Sequence, residues 1–307
     1  MRKKAVSEMT RRDFIKVGFL TGAALSMTSS SALLAQDAMS KTDVWVIHGK
    51  DKKKMMEKCM EIIQANGSFG KNVKTLALKV NSAWARTPEE GANTHPELVD
   101  AFLKACKNSG IQKVVIPENP CDAPKDSFTR SGIYDVAQKN GVDMIDLRKN
   151  TQFYRKVTIP KGVSLKNAEV AGQFLDSDAV VNMPVAKHHG AATLSIAMKN
   201  WMGAVRDRRY WHGNNMHQCI ADFCTFMKPA WTIIDATRTM MSSGPKGPGR
   251  LQYPDLLIVS KDQVAADAFA ATLFHDSPEK VGYLRIAGEM GIGNVDLKKM
   301  NIHRIEV

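Results

Sequence analysis

Short apolar runs of strand length alternate with amphipathic stretches of helix length almost to the end of this 307-residue chain, and no other feature limits its fold as much. The pattern predicts strands over 43–48, 73–80, 113–118, 144–147, 179–185, 231–236 and 255–260, with an edge strand or hairpin arm over 155–160. Helices are expected over 51–66, from a Thr94-His95-Pro96-Glu97 capping box to Ser109, over 133–140 and from Ala191 to about Met202. The run 179–185 is apolar on both alternating faces, as a strand covered on each side must be. These readings give an α/β fold with a mostly parallel sheet and helices on both faces.

The first residues belong to a different kind of segment. Thr10-Arg11-Arg12-Asp13-Phe14-Ile15-Lys16 precedes an uncharged run over 17–34 that contains Gly18, Gly22 and six Ser or Thr residues. That is the pattern of a twin-arginine export signal, too weakly apolar for a stable membrane span and removable after Ala35, or after Ala32 or Ala38. Residues 1–35 are therefore read as the signal and 36–307 as a single α/β domain. The expected partner at this end is the twin-arginine translocation machinery, and the expected destination is the periplasm or another exported location. That route moves folded proteins, so a cofactor can be loaded before export.

The formal charge of +12 includes six basic and two acidic residues of the signal, which leaves +8 on the domain. A moderately basic exported surface suits an anionic small molecule, and nucleic acid is not an expected partner. The five cysteines, Cys59, Cys106, Cys121, Cys219 and Cys224, contain no C-x-x-C, so neither haem attachment nor an iron–sulfur cluster is expected. Cys59 and Cys106 fall on apolar helix faces and read as buried small hydrophobes.

Chemistry-bearing residues concentrate after the run 179–185. Lys187, His188 and His189 follow its end, where ligands bind in open parallel sheets. Lys199 and Asn200 lie in the apolar helix expected after them; a lysine there either snorkels to solvent or is held in a cleft as a clamp or nucleophile. His217 stands on an apolar helical face with Asp222 as a partner or a mere neighbour. Asp235 ends the apolar strand run Trp231 to Ile234 and is a candidate to orient a histidine. In the loop that follows, Gly244, Gly247 and Gly249, with Lys246 and Arg250, form a candidate anion cradle, although no Walker A sequence exists.

Lys79-Val80-Asn81, Thr94-His95-Pro96-Glu97-Leu98-Val99, Ser131-Gly132-Ile133, Asn182-Met183-Pro184-Val185-Ala186-Lys187-His188, the segment from Ser195 to Gly203, His217, Asp235 and Gly244-Pro245 together resemble the domain of unknown function 362 family. Many members of that family carry a ferredoxin-type cysteine cluster, which this chain lacks. A more distant resemblance is to the N-terminal domain of the nickel-pincer lactate racemase. Ala85-Arg86-Thr87-Pro88 is similar to one of its loops, and Lys199 and His217 to its cofactor-bearing lysine and metal-binding histidine. The resulting expectation is an exported protein, an enzyme or not, that binds an anionic small molecule or a metal-bearing organic cofactor. Lys199, His188 and Asp235 are its candidate catalytic residues, and Lys187, Asn200, Asn81, Gly244, Gly247 and Gly249 its candidate cofactor contacts. His188 and His217 are the candidate metal ligands. The alternative is a non-catalytic periplasmic accessory or solute-binding protein serving a redox partner.

Overall fold

The computed structural model describes residues 41–307, so the twin-arginine segment and its expected cleavage sites lie outside the described residues. In chain order the strands are β1 (Thr42–His48), β2 (Thr75–Val80), β3 (Lys113–Glu118), β4 (Asp143–Asp146), β5 (Tyr154–Thr158), β6 (Asn167–Ala171), β7 (Ala179–Met183), β8 (Val185–His189), β9 (Thr193–Ser195), β10 (Trp231–Met240), β11 (Leu251–Gln252), β12 (Leu256–Ser260) and β13 (Met300–Glu306). The main sheet runs β13-β1-β12-β10-β7-β2-β3-β4. Along that path every neighbouring pair is parallel except where β12 sits between β1 and β10. β5 and β6 form a separate antiparallel pair, so the stretch 155–160 is a hairpin arm rather than an edge of the main sheet.

Strand alternation sends successive side chains to opposite faces, and both faces are covered. Leu76 and Leu78, Val181, Ile233 and Val259 pack beneath the helices Lys52–Ala65, Pro96–Asn108 and Ile133–Lys139. Ala77, Val180, Ile234 and Ile258 pack beneath Met216–Phe226, Gln263–Ala271 and Gly282–Glu289. The fold is thus α/β, with a mostly parallel central sheet between two helical layers.

Four local expectations need correction. The stretch expected as one helix from Ala191 to Met202 is a hairpin arm followed by a single turn. β8 and β9 pair through Lys187 with Ser195, His188 with Leu194 and His189 with Thr193, and Thr193 takes a left-handed φ of 66°. Only Ala197–Asn200 is α-helical, and the Asp267 carboxylate accepts its Ala197 and Met198 amides at 2.7 and 2.9 Å. The apolar spacing of that segment therefore reflects burial of a strand and a turn in one core. Thr94 is not the helix cap either. Its buried hydroxyl accepts the Asn81 amide at 2.8 Å and donates to the Met183 carbonyl at 2.7 Å, while His95 caps the helix. β10 continues to Met240, which places Asp235 in mid-strand rather than at a strand end. The C-terminal strand β13, which alternation alone left unassigned, lies parallel to β1 at the sheet edge.

Candidate functional site

The carboxyl ends of β2 and β3 open into a cleft of about 160 Å³, closed on one side by β8, β9 and the short helix Ala197–Asn200. Its wall carries Lys79, Lys187, Lys199 and Arg208 against a single carboxylate, Glu118. All three lysines are buried, although a buried ammonium without a partner costs several kcal/mol. Where each one finds compensation therefore decides what the cleft can do.

Lys79 is fully compensated. Its Nζ donates to Glu118 Oε2 and Oε1 at 2.9 and 3.1 Å, to Asn200 Oδ1 at 3.3 Å and to the Val80 carbonyl. Glu118 Oε2 also accepts the Ser82 amide at 3.1 Å. Burial lowers the Lys79 pKa, and the Glu118 charge opposes that shift. The chain passes so close to this pair that a β-carbon at Gly203 would stand 2.1 Å from Glu118 Oε1 and 2.7 Å from Lys79 Nζ. Only glycine fits there without displacement of the ion pair.

Asn200 connects the two ends of the cleft. Its Nδ2 donates to Asn182 Oδ1 at 2.8 Å and to the Lys79 and Val80 carbonyls, while its Oδ1 accepts Asn81 Nδ2 at 3.0 Å. Asn81 Oδ1 in turn accepts Lys187 Nζ at 3.1 Å. Lys187 donates besides only to the Ala92 carbonyl, so both its partners are neutral. Lys199, which is 8 % exposed, has the Met202 thioether at 3.3 Å as its Nζ contact. Burial pulls the Lys187 pKa down to about 7 and that of Lys199 to about 8, and the charge of Lys199 further lowers Lys187. Near neutral pH both groups exchange between ammonium and amine.

Burial and the neighbouring cations lower the pKa of the cleft imidazoles His189 and His212. His189 is held near a pKa of about 3 by burial and by the Lys199 and Lys187 charges, and it stacks on His212 with centroids 6.3 Å apart. Its Nδ1 accepts the Ala191 and Ala192 amides at 3.1 Å, as His188 Nδ1 accepts the Gly244 amide at the same distance. In each ring the Nδ1 lone pair is thus occupied by backbone amides, and in the neutral His189 ring the other nitrogen carries the hydrogen. His217 Nδ1 is buried without a partner, but the Gly282 backbone packs against it so closely that a β-carbon there would lie 2.9 Å away. Among the described residues no three His, Cys, Asp or Glu side chains are grouped to hold a metal. The donor set therefore does not fit a metal centre at these histidines.

A model of the family called Domain of unknown function (DUF362) matches residues 76–272, which include every residue of this cleft. The chain belongs to that family. A similar protein is the thylakoid-associated protein of Synechocystis, 20 % identical over 241 residues that cover 76 % of this chain and 73 % of that protein. Among solved structures, a Thermotoga maritima protein aligns over 77 % of this chain and 59 % of its own, with a TM-score of 0.44 and 10 % identity. The lactate racemase apoprotein of Thermoanaerobacterium thermosaccharolyticum aligns over 71 % and 54 %, with a TM-score of 0.44 and 12 % identity. The chain thus spans just over half the length of each of these structures.

Within this DUF362 domain, Lys187, Lys199, Asn200 and Asn81 line one cleft, whereas His188 and His217 do not line it. Asp235 lies behind it: its carboxylate binds Arg238 Nη1 at 2.6 Å, the Thr237 hydroxyl at 2.7 Å and the His95 backbone amide at 2.9 Å, and no imidazole. Asp222 is not the partner of His217 either, since it is buried and accepts the Ser164 and Leu165 amides and Gln218. Of the 244–249 loop, Pro245 reaches the cleft and Gly244 binds His188, while Gly247 offers its carbonyl to Arg86. Lys246 pairs with Asp122 at 2.9 Å. The sequence reading missed the Lys79–Glu118 pair and Arg208. A lysine next to the end of the apolar strand 75–80 and a glutamate ending the neighbouring strand were the available signal, because opposite charges at the ends of adjacent parallel strands meet.

Proposed function

We propose that the cleft binds a small anion bearing a carboxylate or phosphate group through Lys187 and Lys199, with Arg208 and the neutral His189 and His212 completing the wall. The observation that carries this reading is that two buried lysines face one cleft without a carboxylate partner while a third lysine of the same wall, Lys79, has one. An anion supplies the missing charge, raises the pKa of both amines and makes their burial favourable. The reading is tested by calorimetric titration with inorganic phosphate and with small mono- and dicarboxylates at pH 7. Binding with proton uptake is expected, since partly deprotonated lysines must charge. Lys187→Met with Lys199→Met should abolish it. Absence of binding by any of these anions to the unmodified protein would contradict the reading.

The site is proposed to work outside the cytoplasm, on the evidence of Arg11 and Arg12 in their twin-arginine context. Arg11→Lys with Arg12→Lys should retain the protein in the cytoplasm, and undiminished delivery of this variant in cell fractionation would contradict export by that route.

A further inference from the structure

We infer that Lys199 is an imine-forming nucleophile and that the cleft takes small 2-oxo acids, whose carboxylate Lys187 holds while Lys199 attacks the carbonyl carbon. This rests on the proposed anion site and gives its ligand class.

The two unpaired lysines are not equivalent. Lys187 is fixed by the Asn81 amide oxygen and the Ala92 carbonyl, two acceptors that orient an ammonium and leave one of its hydrogens for a ligand. Lys199 meets only the sulfur of Met202, a weak acceptor that neither requires a proton on the nitrogen nor occupies its lone pair. A lysine amine becomes nucleophilic when it is desolvated beside another cationic group, and Lys199 is nine-tenths buried in a wall that also carries Lys187 and Arg208. Burial lowers its pKa to about 8 and that of Lys187 to about 7; a carboxylate bound at Lys187 returns the charge to that group, whose two fixed acceptors orient an ammonium, and leaves Lys199 as the group that can give up its proton. The ligand that uses both features has an anionic group adjacent to an electrophilic carbonyl. A cleft of about 160 Å³ limits it to a few heavy atoms beyond that pair.

The step conserves electrons. The Lys199 nitrogen forms a bond to the carbonyl carbon and releases one of its two protons, while the carbonyl oxygen takes one up to give a carbinolamine. The carbon–oxygen bond then breaks, and oxygen leaves with a second proton as water while the nitrogen loses its proton and forms the imine. Amine and ketone become imine and water, and no oxidant, reductant or further reactant is needed.

Trapping tests the assignment. Full-length protein is incubated with pyruvate and sodium cyanoborohydride at pH 7, and the product is followed by intact mass and peptide mapping. One reduced adduct per chain is expected, located on Lys199, absent from Lys199→Arg and suppressed by excess inorganic phosphate, which cannot form an imine. Should Lys199→Arg fail to fold, phosphate protection and peptide mapping on the unmodified protein decide alone. Anion binding by calorimetry without any pyruvate adduct, or an adduct spread over exposed lysines and insensitive to phosphate, overturns the nucleophile and leaves the anion site standing. An adduct on Lys199 that forms equally well in Lys187→Met removes the carboxylate clamp. Neither binding nor adduct removes both.

Discussion

The two ends of one cleft treat a buried lysine in opposite ways. At the β2–β3 end, Lys79 is neutralised by Glu118, and the pair is enclosed by Ser82, Asn200 and the bare backbone of Gly203. At the β8 end, Lys187 and Lys199 are buried as deeply, yet have only neutral partners. Burial penalises an ammonium equally at both ends, so the difference is one of purpose. The paired end fixes the strand ends in the folded protein, and the unpaired end holds the uncompensated charge that the proposed anion would balance. The comparison also separates stability from function: substitutions at the first end should unfold, and those at the second should unbind.

The largest effect is expected at the paired end. Glu118→Gln leaves Lys79 buried beside a neutral amide and should cost about 3–5 kcal/mol of stability in urea unfolding, the range for breaking a buried ion pair from one side. A loss below about 1 kcal/mol would mean that Lys79 is not charged in the folded state, and the contrast between the ends would collapse. Gly203→Ala should follow, at about 1–3 kcal/mol, because its β-carbon must push Glu118 and Lys79 apart. Full stability of that variant would show that the pair tolerates displacement.

Lys199→Met should behave oppositely. Methionine fills a similar volume without a charge, so the protein is expected to range from equally stable to about 1 kcal/mol more stable at pH 6 while anion binding is lost. The pH dependence has a definite sign. Lys199 binds its proton more weakly in the folded state, at about 8, than in the unfolded chain, at 10.5. Between those values the unfolded chain holds more protons, so stability of the unmodified protein rises with pH through that window and is lowest below it. The advantage of Lys199→Met should therefore shrink as the pH is raised from 6 to 10. A constant difference across the range would place the Lys199 charge in solvent.

The contrast also explains how much could be read in advance. The alternation of strand and helix patterns was legible because it follows from burial on two faces, which the central strands of the main sheet express locally and the largely exposed edge strand β13 does not. Lys187, Lys199, Asn200 and Asn81 were legible as candidates near strand ends, but His188, His217 and Asp235, expected to converge with Lys199, do not line the cleft. The local structure around Lys199 was not legible, since the segment after His189 has apolar residues at spacings that suit a helix, and its turn depends on the remote Asp267. Asp235 misled for a similar reason: the strand continues past it because Arg238, three residues on, neutralises it inside the sheet. Glu118 stayed invisible because its partner, Lys79, lies 39 residues away on a neighbouring strand.

Lysine-selective NMR, following the side-chain carbon next to each amine from pH 5 to 11, tests the central claim most directly. Lys187 and Lys199, assigned by substitution, should titrate near 7 and 8 in the free protein and move upward when inorganic phosphate is added. Titration of both at the ordinary lysine value near 10.5, unchanged by the anion, would show that neither amine is buried without a partner, and the proposed site would not exist.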